Sequence, residues 1–155
     1  MKNNDTRRGT AHIRHDLKPL HVRLITPYNE EFMPEFKNLV YKEHRTWEPD
    51  AKLWVVREEY VGELYELLDK YFIETHVNFG EHYYMDLDKD NLVEPYNLLG
   101  LLPGTNFYTA KETYTTMMRR QLAKEILDDI DPIILRRTTV SYLLLREAYE
   151  RGDIE

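Results

Sequence analysis

RTWEPDAKLWVV, residues 45–56, is the stretch on which the fold turns. It holds both tryptophans of the chain, Trp47 and Trp54, set around Pro49 and Asp50 with Arg45 and Lys52 as basic neighbours. β-favouring residues on either side of a Pro-Asp turn predict a hairpin. With Asp50 and Ala51 at its tip, Trp47 falls directly opposite Trp54, and both rings share one sheet face. Cross-strand aromatic pairs contribute roughly 0.2–1 kcal/mol relative to Ala pairs, and they fix the register of a hairpin whose turn is otherwise ordinary.

Outward from the hairpin, the flanking segments supply the rest of a small α+β unit. HVRLITPYN, residues 21–29, alternates through Val22 and Leu24 into a turn, which predicts a strand. EEFMPEFKNLV, residues 30–40, sets Phe32, Phe36 and Leu39 or Val40 at helical spacing. Its Pro34 is tolerated because the first helical turn has no internal acceptor for the missing N–H. EEYVGELYELLDKYF, residues 58–72, puts Tyr60, Leu64, Leu67, Leu68, Tyr71 and Phe72 on one stripe with acid opposite, an amphipathic helix. THVNFGEHYYMDLD, residues 75–88, predicts a further strand with an irregularity at Gly80. The expected order is strand, helix, hairpin, helix, strand, with the helices on one sheet face.

A chain of 155 residues, 42% of them hydrophobic and 12% aromatic, suffices for a packed core. Cysteine is absent, so disulfide and thiolate chemistry are excluded, which suits a reducing, cytoplasmic setting. Apolar runs such as LLGLL and SYLLL are far shorter than the roughly 20 residues of a membrane span, and no membrane association is expected. Residues 1–20, basic and polar without an apolar centre, are expected to form a flexible arm rather than a secretion signal. Charge is uneven: residues 1–57 carry 11 Lys/Arg against 8 Asp/Glu, and residues 58–155 carry 10 against 20. The first third can therefore meet phosphates, whereas the remainder repels them.

TPYNEEFMPEFKN followed by RTWEPDAKLWVV and an amphipathic helix resembles the HARP-like domain of annealing helicases and of bacterial and phage proteins. The resemblance centres on Trp47 to Val56 and extends over about residues 21–79. It implies a small module that contacts branched or partly single-stranded DNA. Farther on, EPYNLLGLLPGTNFYTAKETYTTMMRRQLAK, residues 94–124, resembles the first two helices of a J-domain. Tyr96, Leu99, Gly100, Pro103, Gly104 and Tyr114 carry that likeness, and REAYERG, residues 146–152, resembles the end of its third helix. The His-Pro-Asp motif with which that family stimulates seventy-kilodalton heat-shock chaperones would fall at Leu122, Ala123 and Lys124, where it is absent. The resemblance thus implies a helical hairpin without the co-chaperone activity, and the succession of the two units is one associated with bacterial, plasmid and phage proteins. The expected organisation is an arm at 1–20, a HARP-like α+β domain at 21–91 and an all-helical J-like domain at 92–155.

Within that last domain, the second helix is expected to run on through KEILDD, with Tyr114, Met117, Met118, Leu122 and Ile126 on one face. Asp131 and Pro132 then supply an N-cap and a first-turn proline for the final helix, which Gly152 terminates.

Trp47 and Trp54 could stack unpaired bases, an interaction of roughly 1–3 kcal/mol per exposed ring, or pack beneath a helix as core. Arg45, Lys52, Arg57, Lys42 and Lys37, with Arg7, Arg8, Arg14 and Arg23 from the arm, could pair with phosphates, although Glu43, Glu48 and Asp50 dilute that patch. Asp86, Asp88 and Asp90 alternate as in an EF-hand loop, but Asn91 and Asn97 stand where that loop needs Gly and a bidentate Glu. His76 and His82 lack metal-ligand spacing, and Ser141 lacks a nucleophile elbow. Neither a P-loop nor a dinucleotide fingerprint occurs. No cofactor, metal site or catalytic residue is therefore expected.

Two functions fit these features. One is a non-catalytic nucleic-acid-binding accessory protein that touches single-stranded or forked DNA through its arm and tryptophan hairpin. The other is a regulatory protein that docks on a protein partner through its acidic face or J-like helices, with Arg119 and Arg120 at the contact. An acidic mimic of DNA built from residues 58–91 is a third possibility.

Overall fold

The computed structural model describes residues 5–80, 87–124 and 126–155. The chain divides into two compact units, Met1–Gly80 and Glu81–Glu155. The first is an α+β unit with strands β1 (Thr10–His15), β2 (His21–Ile25), β3 (Arg45–Glu48), β4 (Leu53–Arg57) and β5 (Glu74–Asn78), and helices α1 (Phe32–Leu39) and α2 (Val61–Tyr71). The second is helical, with α3 (Val93–Leu98), α4 (Phe107–Leu122) and α5 (Pro132–Glu150). The unit boundary falls after Gly80 rather than after residue 91.

The sheet order is β3-β4-β2-β1-β5. β1 runs antiparallel to β2 and parallel to β5, while β4 runs antiparallel to both β2 and β3. Two crossovers follow from that order, since β2-α1-β3 passes over β4 and β4-α2-β5 passes over β2 and β1. This is an interleaved β-α-β-β-α-β plan with β1 inserted between its first and last strands.

That insertion corrects the flexible-arm expectation for residues 1–20 over Thr10–His15. Thr10–His15 is an interior strand, and its Ala11 and Ile13 are fully buried. Only these two small apolar side chains alternate with Thr10, His12 and Arg14, so the period-two signal is short and framed by charge. Gly9 precedes the strand at φ 79°, and a Cβ there would meet Pro27 Cγ at 2.8 Å, so glycine is needed for the close approach.

One sheet face carries Ala11, Ile13, Val22, Leu24, Trp54 and Val56, the alternate positions of neighbouring strands. Both helices cover it. Phe36 of α1 meets Trp54, with ring centroids 5.1 Å apart, and Phe32 meets Phe72 at 5.4 Å where the helices converge. Leu64 and Leu68 of α2 are fully buried, as the stripe predicts. Each such side chain stabilises the unit by about 1.5–3 kcal/mol on transfer from water.

In the helical unit, α5 packs on both α3 and α4. Tyr114 of α4 stacks on Tyr142 of α5 at 4.2 Å and 9°, and Phe107 stacks on Tyr149 at 4.7 Å. Asn106 accepts from the Thr109 N–H and Asp131 from the Ile133 N–H, each 2.9 Å, so both helices are capped by side chains. Gly152, at φ 82°, ends α5 as expected: its N–H donates to Tyr149 O and that of Asp153 to Ala148 O, the two bonds of a Schellman turn. Tyr96 and Leu99 are buried, and the Tyr96 hydroxyl donates to Thr105 O at 2.7 Å, tying α3 to the turn before α4.

α4 stops at Leu122 instead of continuing through KEILDD; Leu127–Asp129 is a separate 3-10 turn. Continuation would place Asp128 and Asp129 at the negative end of the helix dipole and run toward Pro132. Of the expected stripe, Tyr114 and Met118 are buried and Ile126 is exposed, whereas Ile130 is buried. Of the strand expected over residues 75–88, the described residues show β5 at Glu74–Asn78, which ends before Gly80, a residue with a positive φ. His82 and Asp86 lie outside the described residues. Asp88 sits in a turn, where its carboxylate accepts from the Asp90 N–H at 2.8 Å.

Candidate nucleic-acid interface

Trp47 pairs directly with Trp54, the register that the sequence predicts. The turn between them is longer than expected. It spans residues 49–52, with Lys52 at φ 56° and its N–H donating to Glu48 O at 2.8 Å. The indoles are tilted at 54° with centroids 5.2 Å apart. They form a relay from core to solvent: Phe36 braces Trp54, Trp54 braces Trp47, and Trp47 keeps 44% of its surface exposed. The core and stacking readings therefore divide between the two rings. Trp54 serves the core, and Trp47 presents an aromatic surface held rigid from behind.

Arg45 lies diagonally across from Trp54, its guanidinium 5.8 Å from the ring centroid. Its NH1 donates to Val40 O and, at 3.4 Å, to Lys37 O, so it caps the last carbonyls of α1. Arg45 is thus committed to the hairpin–helix joint, with only part of its surface open. Lys42, just before β3, and Lys52, in the hairpin turn, are both exposed, interleaved with exposed Glu43, Glu48 and Asp50.

The remaining cations separate by environment. Arg57 is buried and grips Glu59 with two hydrogen bonds, one of them Nε to Oε1 at 3.1 Å, and this removes it from any phosphate-contacting set. It stands at the end of β4, opposite His21 of β2, which is buried as well. Arg7 is held by Asp5 at 2.7 Å and donates to Asp69 O at 3.1 Å. The Arg7 hydrogen bonds lower the Asp5 carboxyl to about 2. Arg8 is exposed and donates to Arg7 O. Arg23 bonds Asp16 at 2.7 Å; burial raises the Asp16 carboxyl, but the hydrogen bonds from Arg23 and the Lys18 N–H outweigh it and leave the pKa lowered. Arg14 is exposed on β1 directly opposite Arg23 and makes no ion pair among the described residues. Arg119 and Arg120 are exposed on the last turn of α4, in the other unit.

Composition gave no sign of the charged cluster at the end of β4. Arg57, Glu58 and Glu59 are three consecutive charged residues, all buried, followed by buried Tyr60. The Tyr60 hydroxyl meets His44 Nδ1 at 2.7 Å, and His21 Nδ1 meets Pro19 O at 2.8 Å. Burial lowers the pKa of both histidines, and the nearby Arg57 charge lowers it further. The flanking Val55-Val56 and Tyr60-Val61 pairs are the only sequence signal that such a run turns inward.

No protein family, curated protein or solved structure matches this chain. Among the described residues, no helix is long and apolar enough to cross a membrane.

Proposed function

We propose that the first unit is a non-catalytic nucleic-acid contact module that engages single-stranded or forked DNA at the hairpin edge. The observation that carries this reading is Trp47, an exposed ring whose orientation is fixed by Trp54 and Phe36, so that stacking costs little side-chain entropy. Lys42, Lys52 and Arg8 supply exposed positive charge for the sugar–phosphate chain. The HARP-like resemblance of residues 21–79 supports the same reading. Titration of the intrinsic tryptophan emission with a single-stranded DNA, a forked DNA and a duplex at two salt concentrations tests it, with RNA as competitor. Quenching by the unpaired strands, weakened by salt and reduced at least about fivefold in Trp47→Ala, is expected. No binding at low salt overturns it.

A second reading, docking of the J-like unit on a protein partner, is supported by four exposed aliphatic side chains, Ile126 and Leu127 in the α4–α5 connection and Ile133 and Ile134 in the first turn of α5. Arg119 and Arg120 lie on the α4 turn that leads into it. Under this reading, serine at Ile133 and Ile134 abolishes capture of the partner while DNA titrations are unaffected.

A further inference from the structure

The sheet has a second face that neither α1 nor α2 covers. On it, alternate residues of β1, β2 and β5 place His12, Arg14, Arg23, His76 and Asn78 side by side. Leu53 and Val55 of β4 are buried on this side too, so its exposed part is the β2-β1-β5 region. The strand registers arrange that region in two rows. In one row His12 stands between Ile25 and His76, with the two imidazoles edge-to-face and 5.4 Å apart. In the next row, two residues or about 6.6 Å along the strands, Arg14 stands between Arg23 and Asn78.

We propose that this face is a binding track for a single nucleic-acid strand, with a base on the His12–His76 pair and a phosphate on Arg14. The inference rests on the nucleic-acid reading above and names a second contact of that same unit, on the opposite face from the indoles.

Three observations carry it. Like charges directly opposite each other on neighbouring strands destabilise a sheet, yet Arg14 faces Arg23 across β1 and β2. Asp16 neutralises Arg23 alone, and Arg14 is left for an anion from outside the described residues. Aromatic imidazole faces stack on unpaired bases, and here two of them lie on adjacent strands beside a cation row, with Asn78 offering an amide to a base edge or a sugar. Finally, the rings and the cation row stand close enough to interact: burial lowers the His12 pKa first, and the charges of Arg14 and then His76 lower it further. Two carboxylates mark the edges of the track. Glu74, on the same face of β5, bonds His76 at 2.8 Å, and Glu48 closes the far side on β3. A strand lying on this face therefore runs over β1 and β2 between them.

The two sites are separated by testing four versions of the full chain, wild type, Arg14→Gln, His12→Ala and Trp47→Ala, against a fluorescently labelled oligothymidine. Affinity is measured at 50 and 200 mM salt and at pH 5.5 and 8. Each substituted side chain has exposed area, and circular dichroism verifies that the sheet persists. Arg14→Gln is expected to shrink the ratio of affinities at the two salts by about 2.6-fold, the loss of one phosphate contact on a single strand. His12→Ala is expected to weaken binding at least about fivefold and to flatten the gain in affinity that wild type shows at the lower pH. If Arg14→Gln and His12→Ala bind as wild type while Trp47→Ala is impaired, the track is refuted and the hairpin contact stands. If wild type binds at neither salt, both fall together.

Discussion

The buried pair Arg57–Glu59 offers the sharpest test of how the first unit is held together. Both side chains are almost wholly removed from water, with 5% and 0% of their surface exposed. Removing Glu59 strips a buried cation of the carboxylate that holds it, so Glu59→Ala should destabilise the unit by about 3–5 kcal/mol. Replacing both, as in Arg57→Met with Glu59→Leu, removes the charges together and should come within about 1 kcal/mol of wild type or exceed it. Urea titration followed by tryptophan emission suits the measurement, because Trp47 and Trp54 both belong to this unit and the second contributes no indole to the signal. In thermal melts the single substitution should lower the midpoint by about 12 °C or more, at roughly 4 °C per kcal/mol for a domain of this size. A single-substitution cost below about 1 kcal/mol, the level of an exposed ion pair, would refute the assignment of this pair to the interior. So would a double variant as unstable as the single one, which would place the loss in packing instead of charge.

Acid should weaken the first unit before any carboxylate protonates. His12, His21 and His44 all have folded pKa values lowered from 6.5, so the unfolded chain binds more protons; their contribution is complete above about 6.5 and is lost as pH falls through the lower folded values. The urea midpoint should therefore drop between pH 7.5 and 5, and a flat profile there contradicts the burial of these rings. Phe36→Ala should cost about 3–5 kcal/mol and shift the emission of Trp54 to the red, since that ring loses its inner neighbour. Asp131→Ala should lower the stability of the helical unit by about 0.5–2 kcal/mol, seen in far-ultraviolet melting with no change in the tryptophan transition.

The elements that were legible in the sequence are those whose pattern is local. The Trp47–Trp54 register follows from turn position and period two, the α2 stripe from apolar spacing, and the start of α5 from Asp131 and Pro132. What escaped depends on contacts made far along the chain. Thr10–His15 becomes a strand because β2 and β5 both pair with it, and its own six residues carry too little apolar alternation to announce that. The proposed cation set fared unevenly for the same reason. Whether an arginine faces solvent or a carboxylate is decided by tertiary neighbours, so Arg14 and Lys52 are exposed, Arg57 is interior and Arg45 closes a helix end. The His12–His76 pair joins residues from opposite ends of the unit, and only the parallel register of β1 with β5 brings them together.

That parallel register has a consequence for the order of assembly. β1 finds β2 at once through a short connection, but β5 has β1 as its sheet neighbour and must wait until the intervening hairpin and both helices have been made. Closing so long a loop is slow, so β5 should be the last strand to join and the first to leave in partial opening. Cutting the chain between the first strand and the second would then cost the protein its last strand as well, although the two lie at opposite ends of the unit's sequence.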